Sequence, residues 1–503
     1  MSARQNRIWL LCVKAVVNGL LFAVPFIWDQ LFFLIFFAFV QLFLTLNKLE
    51  RTKYQLAYSF MLVAVWHSIT MHCVYSNDLS WWVGLMAIAI AGLITLLPLF
   101  IYCCCISKLA IKNDYKYFLF ILAWIFVEWL SFEWELAFPF HVLGYYLGNA
   151  PFLIYWYQYT GVLGGSVWIL LVNIAIIKLL DKKASKISKW GYSFLAIAPL
   201  AASTKIYFSP TATNRSEKIL VVATKKEGAY SSAAFRDVFY RAFAAIDKDV
   251  FLVVCPESIG HLPASSFPHN SYFSAIKRTF KQQAPRAGVI FGATTQDIKG
   301  SPSFSYKGLF NMAICCDTSG LVAFRNKMLL APFGEFIPYE KFFGKIFDIK
   351  KMVANPLIYN NEYDNVFTIN NVQILPLICY ELYFSNHIAK YIRKRDIGLI
   401  AAISNEYYIY KPVFVRQLVR MSRAQAISFH KSVVKSTNHG ISLIISPKGE
   451  IVASSKFNTS EIIGAEVPIN TKLTLYGKYG NIVACLLCLA LLLPIKIMSC
   501  YEK

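Results

Sequence analysis

The sequence predicts a membrane α-helical bundle joined to an α/β domain whose strands alternate with amphipathic helices. Two observations predict it. The chain has 503 residues, 57% of them hydrophobic, too long and too apolar for one ordinary soluble domain. The excess is also unevenly spread, since all eleven Trp lie at or before Trp190 and long apolar runs fill the same portion.

Seven apolar segments come first, at about 8–26, 30–47, 55–75, 81–104, 117–133, 160–180 and 190–207, and an eighth spans 480–499. Most approach the roughly 20 residues needed to cross a bilayer as a helix. The opening run lacks a small-residue cleavage site after it, so it is expected to be a retained helix. The loops carry an orienting signal. Arg4 and Arg7 precede the first segment, Lys48, Arg51 and Lys53 follow the second, Lys108, Lys112 and Lys116 the fourth, and Lys182, Lys183, Lys186 and Lys189 the sixth. The alternate loops carry Asp29, Asp78, Glu133 and Glu135 with no Lys or Arg. Positive charge favours the cytoplasmic side, so the N-terminus is expected inside and the residues after the seventh helix outside. The expected division is 1–207 as the first bundle, 208–475 as an outward domain and 476–503 as a closing helix. Phe138 to Tyr145 and Thr160 to Gly165, rich in Gly and Pro, are expected to pack into the bundle, because backbone at membrane depth needs hydrogen-bond partners. Glu128 reads equally as an interfacial snorkelling side chain or a polar residue lining a path for a lipid headgroup.

Strands are predicted at 218–224, 250–255, 288–294, 310–317, 321–325, 372–379, 397–403 and 441–446, helices at Ser232–Ala245 and Arg416–Lys431, and a hairpin turn at Ser446–Glu450. The net charge of +22, from 50 Lys and Arg against 28 Asp and Glu, suits an anionic lipid surface. Nucleic acid is not expected, as no basic helix, zinc spacing or RNA-binding signature is present. The twelve Cys lie mostly in or beside apolar runs, and the one CxxC spacing, Cys485 to Cys488, falls inside the closing apolar segment, so neither a disulfide framework nor a metal site is expected.

Three strand ends carry reactive side chains. Val253-Val-Cys-Pro-Glu257 ends in a carboxylate, Phe324-Arg-Asn-Lys327 in an ammonium, and Gln373-Ile-Leu-Pro-Leu-Ile-Cys379 in a thiol. A lone Cys at a strand end is ordinarily core filler. Together with a base and a cation it becomes a candidate nucleophile, because the thiol needs a proton acceptor and the resulting oxyanion needs positive charge. A Cys–His pairing is the rival, but His261, His269, His387, His430 and His439 sit in no comparable strand-end motif.

These motifs resemble the three signatures of the nitrilase, or carbon-nitrogen hydrolase, superfamily: Pro256-Glu257-Ser258, the segment from Lys327 through Ala331-Pro-Phe-Gly-Glu335, and Ile378-Cys-Tyr-Glu381. Ser404-Asn405-Glu406, Arg423 and Ser436-Thr-Asn-His-Gly440 follow in the superfamily's order. Pro332-Phe-Gly-Glu-Phe-Ile-Pro338, Glu128-Trp-Leu130, Leu143-Gly-Tyr145 and Thr474-Leu-Tyr-Gly-Lys-Tyr-Gly480 resemble its membrane-bound branch, the apolipoprotein N-acyltransferases. The resemblance implies an α-β-β-α sandwich beside about eight transmembrane helices in a bacterial inner membrane, with the catalytic domain periplasmic. It implies an acyltransferase with no cofactor and no metal, moving an acyl chain from phospholipid through a Cys379 thioester to the amine of a diacylglyceryl-cysteine on a lipoprotein. Glu257, Lys327 and Cys379 would be catalytic, and Glu335, Tyr380 and Glu381 supporting. Departures occur at Val221-Val-Ala-Thr224, at Tyr407 and Tyr408, at Gln425 and Ser428, and in the lack of Trp beyond residue 190. Two other readings fit the same residues, a membrane-tethered amidase or nitrile hydrolase and a non-catalytic scaffold related to conjugation systems. The aromatic loop 333–347, with Phe333, Phe336, Phe342, Phe343 and Phe347, is expected either in a core or facing lipid.

Overall fold

The computed structural model describes residues 3–71, 81–209, 215–225, 232–261, 271–295, 310–343, 365–407 and 412–500. Asp78, His269, Phe347 and Tyr408, named above, lie outside them.

Each apolar segment forms a helix. In chain order these are α1 (Ala3–Ile27), α2 (Ile35–Leu46), α3 (Thr52–Met71), α4 (Trp81–Cys104), α5 (Asn113–Leu130), a single turn α6 (Pro151–Ile154), α7 (Tyr157–Leu180) and α8 (Lys186–Phe208). Among the described residues, four helical stretches are long and apolar enough to cross a membrane: Gln5–Ile27, Asp29–Leu46, Ile88–Lys108 and Tyr157–Leu180. The closing segment is a shorter apolar stretch, Ile482–Met498. Pro494 cannot donate to the carbonyl of Ala490, and the helix breaks at Leu491.

The loop between α5 and α7 packs into the bundle as expected. Glu128 is buried, and its carboxylate accepts the Leu143 N–H at 2.8 Å and the Trp124 indole N–H at 2.9 Å. Gly144 donates to Ser166 Oγ at 3.0 Å. Glu128 therefore holds the loop backbone and does not snorkel.

Thirteen strands are described, in two sheets. They are β1 (Ser216–Ala223), β2 (Val250–Val254), β3 (Gly260–His261), β4 (Gly288–Thr295), β5 (Phe310–Asp317), β6 (Gly320–Asn326), β7 (Phe367–Ile369), β8 (Val372–Ile378), β9 (Ile397–Asn405), β10 (Ser432–Asn438), β11 (Leu443–Ile445), β12 (Ile451–Ser454) and β13 (Glu461–Pro468). One sheet runs β13-β1-β2-β4-β5-β6 with β3 beside β4, and the other β12-β11-β10-β9-β8-β7. Alternation along the strands builds the layers. On β1, Ile219 and Val221 face the second sheet, while Leu220 and Val222 face α9 (Ser232–Ala245) and α10 (Ser271–Gln283). On β8, Ile374 and Ile378 join the core between the sheets, and Leu375 and Leu377 point the other way. There they meet α12 (Ser385–Ile392), α13 (Pro412–Phe429) and the bundle, past the single turn α11 (Glu340–Phe343) in the chain. The layers are helix, sheet, sheet, helix, as expected of a nitrilase-like fold. Each Ile, Leu or Val fully buried in them contributes about 1.5–3 kcal/mol.

α13 joins the sandwich to the bundle. Arg420, fully buried, donates from Nε to Asp29 Oδ1 at 2.8 Å and from NH2 to the Phe26 carbonyl at 3.1 Å. Gln417 reaches the Phe140 carbonyl at 3.1 Å, and Gln425 reaches the Tyr145 hydroxyl at 3.0 Å. After β13 the chain forms α14 (Leu475–Tyr479), α15 (Ile482–Ala490) and α16 (Leu492–Cys500). Gly161 in α7 has φ +66°, and a Cβ there would lie 2.2 Å from the Tyr476 ring, so only glycine lets α14 seat.

Candidate active site

The carboxyl ends of parallel strands converge, which is where α/β sheets gather ligand-binding groups. β2 runs into Glu257, β8 into Cys379, β9 into Asn405 and β10 into Asn438. Lys327 follows β6, its N–H bonded to the Asn311 carbonyl at 2.8 Å. Glu257 is placed by a close approach of chains, since a Cβ on Gly292 would lie 2.5 Å from the Glu257 Cα. The pair is stitched by Gly292 N–H to the Pro256 carbonyl at 2.9 Å and Ile259 N–H to the Gly292 carbonyl at 3.0 Å.

The structure brings Glu257, Lys327 and Glu335 together. The Lys327 ammonium is 3.4 Å from Glu257 Oε1 and 2.6 Å from Glu335 Oε1, and its side chain is 1% exposed. Burial opposes its charge, but the two carboxylates prevail and raise its pKa well above the usual lysine value. Glu257 also accepts Asn311 Nδ2 at 2.5 Å and the Asn405 N–H at 2.6 Å. Glu335 accepts the Ala331 N–H at 2.7 Å, which holds the 331–336 turn in place, and burial raises its pKa.

Cys379 begins a short helical turn with φ +53°, a strained conformation for a non-glycine residue. It keeps partial exposure, whereas Cys255, Cys315 and Cys316 are buried. Burial pushes its thiol up to about 12, Glu257 and Glu335 adding to the shift and Lys327 opposing it. Burial first, and then two carboxylates against one ammonium, favour the protonated thiol.

Tyr380 donates its hydroxyl to the Ala137 carbonyl and its ring lies tilted against that of Phe140, centroids 5.9 Å apart, so it ties the turn to the bundle loop. Glu381 is fully buried and accepts three backbone N–H groups, from Ile378 at 2.7 Å, Met328 at 2.6 Å and Leu329 at 3.3 Å. The described candidate histidines have other partners: His261 with Thr294, His430 with Tyr155, His439 with Asn458, and His387 with Arg325, 3.8 Å from Glu381. Among the described residues no group of three or more His, Cys, Asp or Glu is placed to hold a metal ion. Phe333 and Phe336 are half-buried, and Phe342 is 62% exposed.

Sequence reasoning missed Asn311, and it gave no role to Asn438 or Arg325 within the segments Ser436–Gly440 and Phe324–Lys327. Asn438 Nδ2 holds the Glu257 carbonyl at 2.7 Å, and Arg325, fully buried, lies 3.7 Å from Glu381. The available signal was a polar side chain inside an apolar strand run, which demands a partner.

A family model described as the apolipoprotein N-acyltransferase N-terminal domain matches residues 18–175, and one described as carbon-nitrogen hydrolase matches residues 275–472. An apolipoprotein N-acyltransferase of Rickettsia typhi is 24% identical over 491 residues, covering 95% of this chain and 94% of its own. One from Rhodopseudomonas palustris is 24% identical over 382 residues, covering 72% and 69%. A solved CN-hydrolase superfamily protein from Xanthomonas campestris aligns at TM-score 0.36 with 13% identity, over 50% of this chain and 90% of its own, too distant to weigh. The two models match in order on one chain, and the chain is similar over most of its length to relatives that share one name, apolipoprotein N-acyltransferase.

Proposed function

We propose that this protein is an apolipoprotein N-acyltransferase working by a two-step transfer through Cys379. The observation that carries the reading is the buried Lys327 ammonium between Glu257 and Glu335, whose charges also act on the Cys379 thiol. The relatives' shared name favours acyl transfer to lipoprotein over an amidase or a scaffold.

In the first step Glu257 takes the Cys379 proton as sulfur attacks an ester carbonyl of a phospholipid. Lys327 stabilises the tetrahedral oxyanion. Collapse breaks the ester bond, and the leaving alkoxide takes the proton from Glu257 as lysophospholipid departs. In the second step the free α-amine of a diacylglyceryl-cysteine attacks the thioester, Glu257 accepts a proton from nitrogen, and the thiolate leaves and is reprotonated. A high thiol pKa fits this order, because the proton moves only as the acyl donor replaces water. Glu335 positions Lys327, and Tyr380 and Glu381 position the nucleophile turn.

The same reading assigns residues 1–207 to a bundle of about seven membrane helices, 208–475 to the catalytic domain and 476–503 to an eighth crossing. It places the chain in a bacterial inner membrane with the catalytic domain on the periplasmic side. The test is mass spectrometry of lipoprotein N-termini from cells with the protein present and depleted. Loss of the third acyl chain on depletion supports the reading, and unchanged triacylated N-termini overturn it.

A further inference from the structure

Beyond the nucleophile turn, the rim between sandwich and bundle carries a cluster of cations that acyl transfer does not use. α12 buries Ile388, Ala389, Tyr391 and Ile392 and leaves Lys390 exposed, and Arg393, Lys394 and Arg395, also exposed, continue the run. Lys472 and Lys478, exposed before and within α14, lie beside it. The two elements touch: Ile392 Cγ2 is 3.5 Å from where a Cβ on Gly477 would sit, and Arg393 NH2 is 3.4 Å from the same point on Gly480. Six exposed cations thus gather where no ion pair engages them among the described residues.

The nearby carboxylates are fewer. Asp396 follows the run, and Glu133 accepts a hydrogen bond from Asn386 at the start of α12. The lower edge of the patch is fixed by Lys431, whose buried ammonium donates to the carbonyls of Asn470 at 2.5 Å and Lys472 at 2.8 Å. Like charges carried on touching elements repel unless an anion or solvent offsets them.

The location says which anion. α12 lies at the bundle rim, where Asn386 at its start meets Glu133 of the loop after α5 and both Asn386 and Arg393 lie beside Gly480, which precedes the apolar stretch Ile482–Met498. Leu473, Leu475, Tyr479 and Ile482 are exposed around Lys472 and Lys478. Apolar and tyrosine side chains interleaved with cations form the pattern of a helix lying at a lipid surface. Basic residues in so large an extramembrane segment do not set topology, so this cluster is free to serve binding.

We propose that Lys390, Arg393, Lys394, Arg395, Lys472 and Lys478 form a docking site for the phosphate of an anionic phospholipid headgroup at the membrane rim. The site rests on the membrane placement given under Proposed function but not on the acyl-transfer chemistry. The test is native mass spectrometry of the full-length protein in detergent, carrying Cys379→Ala so that bound lipid is not consumed, with equal phosphatidylglycerol and phosphatidylethanolamine. Its outcome is therefore independent of whether Cys379 is the nucleophile.

Phosphatidylglycerol should be retained in preference to phosphatidylethanolamine. The variant Lys390→Gln/Arg393→Gln/Lys394→Gln/Arg395→Gln should lower its occupancy about tenfold or more. Lys472→Gln/Lys478→Gln should lower it less, and Lys390→Arg/Lys394→Arg should keep it. If the quadruple variant does not fold, the unaltered patch should still lose phosphatidylglycerol adducts as salt is raised. Equal loss of both lipids, undiminished phosphatidylglycerol in a folded quadruple variant, or salt-insensitive adducts overturns the proposal. Loss of binding to an acidic lipoprotein peptide, with lipid occupancy unchanged, overturns it in favour of a protein partner.

Discussion

The Glu381 carboxylate, two residues beyond Cys379, accepts the backbone N–H of Met328, the residue after Lys327, at 2.6 Å. The same side chain accepts the Ile378 N–H at 2.7 Å and lies 3.7 Å from the buried guanidinium of Arg325. One buried group therefore sets the spacing between the strand that delivers the thiol and the segment that delivers the ammonium. Removing the negative charge leaves Arg325 without it in a dry site. Glu381→Gln should destabilise the protein by about 3 kcal/mol, read as a lowered thermal midpoint. Thioester formation should fall less than in Glu257→Gln. An unchanged midpoint would mean the ion pair does not matter.

The candidate triad separates by role. Cys379→Ser should lose acyl-enzyme formation with the fold intact, since a hydroxyl is a far weaker acid than a thiol and Glu257 is a weak base for it. Glu257→Gln should also fail, because an amide takes no proton. Lys327→Met keeps most of the stem's volume and removes the charge, and should cost about 10²–10³ in rate. Intact-mass measurement after incubation with phospholipid, with neutral hydroxylamine to release the adduct, reads all three. A Cys379→Ala protein that still N-acylates at full rate would remove Cys379 from the mechanism.

The balance of charge around the thiol gives a pH signature. With its pKa pushed up to about 12, iodoacetamide labelling of Cys379 should climb about tenfold per pH unit from 7 to 10 without a plateau, tracking the thiolate fraction. Glu335 raises that pKa, so Glu335→Gln should lower it and speed labelling at pH 8. Lys327 lowers it, so Lys327→Met should raise it and slow labelling. Peptide mapping checks the rates, and matching changes in both variants would show that local charge does not govern the thiol.

Orientation follows from the loops. A reporter active only outside the cytoplasm should be active when fused after residue 210 and silent when fused after Lys183. The opposite pattern would reverse the assignment of the sandwich to the outer side.

The bundle helices were legible because a membrane-length apolar run is a local signal. The strands β1, β2, β4, β5, β6, β8 and β9 were legible because alternation and β-branched content are local too. β10 was not. Its polar residues break the apolar pattern, yet Ser436 donates to the Val222 carbonyl at 2.6 Å and Lys435 pairs with Glu406, the residue after β9. The other unread strand of length, β13, pairs antiparallel with β1 across some 240 residues of sequence, and no window along the chain reports such a pairing.

The sequence by itself determined that a thiol, a carboxylate and an ammonium each stand at or just beyond a strand end, because strand ends are set by short-range pattern. Only the tertiary structure decided that Lys327 lies 2.6 Å from Glu335 and 3.4 Å from Glu257, that Glu381 ties the two segments together, and that Arg420 reaches Asp29. Such contacts depend on which layers face each other and how deeply each charge is buried. Both are properties of packed surfaces drawn from the whole chain, and the cost of leaving a buried charge unpaired is what selects them.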